Sequence, residues 1–421
     1  MARRLGWLGL AAGSLVVCVS CGAQITTPVA STGVAVTAPS FCASSKYGKP
    51  CTSPAALPTP SSIPVLTVDE VAFSDPSNGW AVGTDCIDST HTCLALADST
   101  ADGGRTWGPK IQLGGQFPEE SSGNSYAATL HIRSQGANVW VSGPGIFESH
   151  DSGRTWVRDF TDSVVALEPS GSTVWAIGGC TTADPQASCV LLTSHVGTDA
   201  WTRAAVQPAF SGGAGGADWK PVLERAPNGV AFIASGGPFP ADQVDMFATR
   251  DDGLSWGPLP LPCTIGIVSL RSPDGTNVWA LCGGGGGAGT GPKAVYVSTN
   301  GGRSWQERAN DVASPAVGSI PGGGYAMSLA VTGPASALIG SSRAGVIRST
   351  DGGRTWRDVG SGSACLLQGN GVSELWFVSS TTGWALEEND DGGAQCPLLV
   401  GTTDGGTTWT AEGAPLGWAA N

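Results

Sequence analysis

Ser349-Thr350-Asp351-Gly352-Gly353-Arg354-Thr355-Trp356 is one of a series of related octets. Thr100 to Trp107 reads TADGGRTW, Ser149 to Trp156 SHDSGRTW and Thr249 to Trp256 TRDDGLSW. Ser298 to Trp305 reads STNGGRSW and Thr402 to Trp409 TTDGGTTW. A worn copy, Ser194 to Trp201 (SHVGTDAW), keeps only the Ser and the Trp of the template Ser/Thr-x-Asp-x-Gly-x-Thr/Ser-Trp. The seven tryptophans are spaced by 49, 45, 55, 49, 51 and 53 residues. A period near 50 marks a repeat architecture. Within each octet, Asp and Ser/Thr side chains can bond nearby backbone groups and build a turn. Glycine supplies a positive φ that a Cβ would penalise. Thr-Trp then returns to strand-favouring residues, with the indole as an apolar plug between repeats.

A second feature precedes each box. It reads GWAVG at 79–83, VWVSG at 139–143, VWAIG at 174–178, VWALC at 278–282 and GWALE at 383–387. Softer versions are VAFIA at 230–234 and SALIG at 336–340. Each unit reads strand, turn, strand, variable loop, strand, box turn, strand. Four short strands per unit describe a propeller blade. The expectation is an all-β, seven-bladed β-propeller over residues 65–413, with a C-terminal tail at 414–421. The repeats override the two or three domains that 421 residues would otherwise suggest. The ring closes either with whole blades or with residues 64–68 added to the last one.

The octet resembles the Asp-box, or bacterial neuraminidase, repeat of the sialidase-like superfamily. Its pairing with a GWAVG-type strand is most similar to photosystem II assembly-factor-like propellers. The resemblance implies structural turns centred on Asp102, Asp151, Asp251, Asn300, Asp351 and Asp404, closed by Trp107, Trp156, Trp256, Trp305, Trp356 and Trp409. It implies that these turns lie away from the binding face.

Residues 1–21 read as a lipoprotein-type signal peptide. Arg3 and Arg4 precede an apolar run at 5–17 that is too short for a typical membrane span. Cys18-Val19-Ser20-Cys21-Gly22 resembles a lipobox, which makes Cys21 the lipidation site. The alternative is ordinary cleavage and free secretion. Residues 22–64, rich in Ser, Thr, Pro and Ala, read as a tether.

Two of the twelve cysteines belong to the leader. The other ten fall as sequential neighbours: Cys42 with Cys51, Cys86 with Cys93, Cys180 with Cys189, Cys263 with Cys282, and Cys365 with Cys396. Sequence does not prove connectivity, but an oxidising exterior suits such bridges. Four of the five would brace the face that carries the loops between second and third strands and the connections between blades. Those ten hold no Cys-x-x-Cys pair, and the chain has four His, so no metal site is expected. No cofactor is expected.

The 21 Lys and Arg, less Arg3 and Arg4, leave 19 against 34 acids, a net charge near −15 for the mature chain. That disfavours nucleic acid and anionic lipid surfaces as partners. Membrane contact is expected through the lipid anchor only, and a monomer is expected.

Sialidases of this superfamily carry an Arg-Ile-Pro motif and a Tyr–Glu nucleophile pair. Here Arg133 is followed by Ser134, and no Glu pairs by pattern with Tyr126, Tyr296 or Tyr325. Arg133, Arg225, Arg271 and Arg343 could form a carboxylate clamp, although a solvated strand edge is the plainer reading of each. Other glycoside hydrolysis needs two carboxylates across a pocket. Asp85, Asp245 and the run Glu387, Glu388, Asp390 and Asp391 are placed on variable loops, without a motif around them. That run and Trp219, which follows a Gly-rich connection, form a candidate binding face, since loops on a rigid scaffold carry recognition. Trp376 reads as core. The expected activity is non-catalytic binding of a protein partner at the bacterial cell envelope. The alternative is a carbohydrate-binding or glycosidase protein acting on envelope or host glycans.

Overall fold

The computed structural model describes residues 65–417 apart from 88–91, 115, 119–128, 161, 180–188, 199, 211–220, 236–244, 265, 285, 288, 312–316, 360–370 and 388–397. The leader, the tether, Cys42, Cys51, Cys180, Cys365, Cys396, Trp219, Glu388, Asp390 and Asp391 lie outside the described residues. Among those residues the strands fall into seven sheets, each built on four antiparallel strands taken consecutively from the chain. The innermost strands are Val65–Phe73, His131–Gln135, Val164–Ser170, Val222–Arg225, Ile267–Arg271, Ala326–Gly333 and Val372–Phe377. Each packs against the next, and Val372–Phe377 packs against Val65–Phe73. The protein is therefore a seven-bladed β-propeller.

Ring closure follows from register. Val65 to Val68 pair with Cys86 to Gly83 inside blade 1, so residues 64–68 do not extend blade 7. Blade 7 is complete in Val372–Phe377, Gly383–Glu387, Leu399–Thr402 and Thr410–Ala411. Two blades carry an extra two-residue strand. Phe117–Pro118 pairs with the third strand of blade 1, and Gly318–Ser319 runs parallel to the outer strand of blade 5.

The box is a self-contained turn. Ser349 Oγ donates to Asp351 Oδ1 at 3.0 Å and accepts the Gly353 N–H at 3.0 Å. Asp351 Oδ1 also accepts the N–H groups of Arg354 and Thr355, and Oδ2 accepts the Thr355 hydroxyl at 2.6 Å. Gly352 and Gly353 sit at φ +77 and +82, where a side chain is strained. The hydroxyl bond to Oδ2 and the N–H bond of the same residue to Oδ1 recur at Asp102, Asp151, Asp251 and Asp404. Asn300 substitutes its amide, accepting the Ser304 N–H and donating to the Ser304 hydroxyl. The threonine hydroxyl and N–H hold the carboxyls of Asp102 and Asp151 down at about 2.

Packing between blades departs from the sequence expectation. Five of the seven box tryptophans, including Trp107 and Trp305, are only half-buried. The tryptophans of the second strands are the more deeply buried: Trp80, Trp140, Trp175, Trp279 and Trp384, with Phe232 and Leu338 at the softer positions. Each lies at the junction with the following blade, and six of them rest on its box. Trp384 Nε1 donates to Gly103 O at 2.9 Å and Trp80 Nε1 to Ser152 O at 3.2 Å. A Cβ at Gly353 would lie 3.0 Å from the Trp279 ring, and one at Gly253 the same distance from Trp175. Glycine in the box therefore serves two purposes, the turn and the close approach of the neighbouring indole. Trp140 faces blade 3, whose box has lost its glycine. There the half-buried Trp201 donates its indole N–H to the buried Glu148 carboxylate instead.

Candidate functional site

The innermost strands place one tier of side chains at equal height around the axis. Its members are the residues paired with the second-strand aromatic: Arg133 opposite Trp140, Glu168 opposite Trp175, Glu224 opposite Phe232 and Arg271 opposite Trp279. Blade 7 contributes Trp376 opposite Trp384, and blades 1 and 6 contribute Ala72 and Ala330. The next tier holds Glu70, His131 and Glu374. Glu70 and Glu374 each follow a register shift in the inner strand.

These charges join neighbouring blades. Arg133 Nη1 pairs with Glu70 Oε1 of blade 1 at 2.9 Å, and its Nε pairs with Glu168 Oε1 of blade 3 at 2.8 Å. Its guanidinium carbon lies 5.5 Å from the Trp376 ring centre, and the small Ala72 sits between them in the tier. Arg271 meets Glu224 at 3.5 Å. Four inner-strand carboxyls also accept a backbone N–H from the next blade: Glu374 from Val71 at 3.2 Å, Glu70 from Ile132, Glu224 from Ser272 at 2.7 Å and Asp69 from Leu130 at 3.2 Å.

Protonation divides the carboxyls. Burial, reinforced by the charge and hydrogen bond of Glu70, pushes Glu374 well above the carboxylate range. Burial also acts on Glu70, but the Arg133 and His131 charges and the bonds it receives hold it well below that range. Burial raises Glu224 to about 7 against the opposing pull of Arg271. Glu70 and Glu374 are thus a carboxylate and a carboxylic acid in hydrogen-bond contact, one from each side of the ring-closing junction.

Of the four arginines read as solvated strand edges, Arg133 and Arg225 need correction. Arg133 and Arg225 are buried and paired. Arg225 lies over the Trp175 ring, 4.1 Å from its centre, and bonds Thr173 O at 2.9 Å and Asp252 at 3.2 Å. Arg271 is a third exposed at its side chain, and Arg343 is exposed at φ +75. No clamp forms, because Arg133 and Arg271 belong to separate ion pairs. The acids Glu70, Glu168, Glu224 and Glu374 were not legible as a set from motifs. Their signal is an offset: Arg133, Glu168, Glu224 and Arg271 lie seven or eight residues before the second-strand aromatic, and Glu70 and Glu374 lie ten before it.

On the loop face, Cys86–Cys93 bridges directly opposed residues of blade 1 and Cys263–Cys282 ties a connection to the second strand of blade 5. Cys189 is also disulfide-bonded. Lys293, buried, donates to Gly323 O and Gly324 O at 2.9 Å each and so anchors the connection from blade 5 to blade 6. The carboxylates assigned to loops shift inward. Asp85 pairs with Leu94 within blade 1, and Asp245 begins the third strand of blade 4. Glu387 ends the second strand of blade 7 at 3% exposure, paired with Val372, rather than standing in a solvated loop.

No family model matches the chain. A stretch of 123 residues is 29% identical to the photosystem II assembly lipoprotein Ycf48 of Synechococcus sp. (strain CC9902). It covers 27% of this chain and 32% of that protein, so the chain spans about a third of the length of the curated relative it matches. Among solved structures, Ycf48 bound to a D1 peptide superposes with a TM-score of 0.53 at 17% identity, covering 84% of this chain and 99% of the other. Ycf48 from Cyanidioschyzon merolae gives 0.52 at 16%, covering 82% and 97%. At these identities the structural likeness is one of fold.

Proposed function

We propose that this propeller is a non-catalytic binding protein of the bacterial cell envelope. Cys21 holds it by a lipid on the outer face of the membrane, and the tether at residues 22–64 gives it reach. Its partner is a protein, bound by the face that carries the disulfide-braced loops and connections, including Trp219 and the acidic run Glu388, Asp390 and Asp391. The observation that supports this most is the engagement of the inner-strand carboxyls. Each is held by a backbone N–H or an arginine of a neighbouring blade, so the inner tier serves the ring. The local sequence similarity to an assembly lipoprotein points the same way, as does the shared fold with a relative solved in complex with a peptide.

A glycosidase reading has one observation in its favour, because Glu70 and Glu374 are two carboxyls with opposed protonation. Their hydrogen-bond contact weighs against it. Carboxyl groups that act on a glycosidic bond stand roughly 5 Å or more apart to admit the sugar.

The test is to present the purified, oxidised protein to a broad glycan array and to chromogenic glycosides. A blank array and no turnover are expected. Saturable binding to one glycan class, or turnover abolished by Glu374→Gln, overturns the reading.

A further inference from the structure

Blade 7 meets blade 1 with no exchanged strand among the described residues, so this junction rests on side chains and on the residues after the last strand. Trp376 Nε1 donates to Phe73 O at 2.8 Å, Trp107 Nε1 to Gly413 O at 3.1 Å, and the Gly413 N–H to Gly104 O at 2.7 Å. Pro415–Gly417 then forms a single turn lying on blade 1. Leu416 is fully buried there, at φ +56. Its side chain fills the space beside Gly83, where a Cβ would lie 2.7 Å from it. Its N–H donates to Asp98 Oδ2 at 2.6 Å.

Three carboxyls with raised proton affinity lie at this junction. Asp98, 2% exposed, faces the Leu416 N–H, with Lys110 as the nearby charge and no hydrogen-bond partner for its Oδ1 among the described residues. Glu374 faces Glu70 and the Val71 N–H, with Arg133 and His131 beyond Glu70. Glu412 faces Arg105 and Asp102 of the blade 1 box.

We propose that the C-terminal segment 412–417 is a proton-dependent latch on blade 1, seated while Asp98 is protonated and released as it ionises, with Glu412 acting in the same sense. The seated state buries Asp98 and half-buries Glu412, where water would otherwise solvate the charge. Burial raises Asp98 to about 7, and raises Glu374 and Glu412 above the usual carboxylate value of about 4. The sign follows by linkage. A raised acid favours the seated state fully below its free value and loses that contribution as pH climbs through its bound value. The latch is firm below about pH 4, the free value, and slackens as pH climbs to about 7, the bound value of Asp98. Other junctions lack a tail. The one between blades 5 and 6 also lacks a raised carboxyl among the described groups, and it serves as the internal reference.

Hydrogen exchange on the full chain at pH 6 and pH 8.5, corrected for intrinsic rates, tests this. The Gly413 and Leu416 amides should lose about tenfold protection relative to Ile320 at the reference junction, since pH 6 lies about one unit below the Asp98 value and pH 8.5 lies above it. Asp98→Asn should abolish that difference. Should Asp98→Asn not fold, Glu412→Gln gives the second reading, with a shallower pH dependence expected. Parallel changes at both junctions, or a pH dependence unaltered by the substitution that folds, overturn the proposal.

Discussion

Trp384→Ala is expected to cost about 3–5 kcal/mol of folding stability, against about 1–2 kcal/mol for Trp305→Ala, in which a half-exposed indole is lost. Both tryptophans belong to the repeat, and sequence alone would rank the box residue first. Trp384 is 3% exposed and stacks on Phe73 with ring centres 3.5 Å apart. Its indole N–H bonds Gly103 O at 2.9 Å. Removing it empties the ring-closing junction of its largest plug and leaves the box carbonyl without that donor. Collapse is limited, because the blades on either side are fixed by their own strand ladders. Urea unfolding of the oxidised protein gives the comparison. Equal losses would mean that the box tryptophans share the packing between blades equally.

Arg133→Met is expected to cost about 3–5 kcal/mol, the usual penalty for removing one partner of a buried ion group. The volume is nearly kept, so the loss is electrostatic. Glu70 would remain buried, and Glu168 half-buried, without the cation that joins them at 2.9 and 2.8 Å. The pH dependence identifies the cause. Glu70 is now held low and contributes stability above the free carboxylate range, which fades as pH falls through its bound value. Without Arg133 its proton affinity rises, so the variant's deficit should shrink between pH 8 and pH 5. Adding Glu70→Gln should recover part of the loss, because the second change removes an unpaired charge. A small deficit independent of pH would show that the channel charges are solvated and do not hold the blades together.

The repeat was legible because its turn is built within eight residues. Asp351 finds all its partners between Ser349 and Thr355, so the octet carries its own structure. Blade number followed from counting octets. Closure was legible only as two alternatives, because the pairing of Val65 to Val68 with the second strand is decided by register and not by composition. The channel tier was hidden for a related reason. Equivalent positions hold Ala72, Arg133, Glu168, Glu224, Arg271, Ala330 and Trp376, which share no residue type, and only the ladder aligns them. Arg133 read as an edge because its partners lie 63 and 35 residues away. Glu387 read as a loop acid because it opens an acidic run, whereas its pairing with Val372 ends a strand there.

The most direct measurement is cross-linking mass spectrometry of the intact protein in its native envelope, with the linked positions mapped onto the propeller. The account predicts reproducible links to one protein partner that cluster on the loops between second and third strands and on the connections between blades. Links confined to the box turns, or no protein partner at all while the protein is shown to be folded, would contradict it.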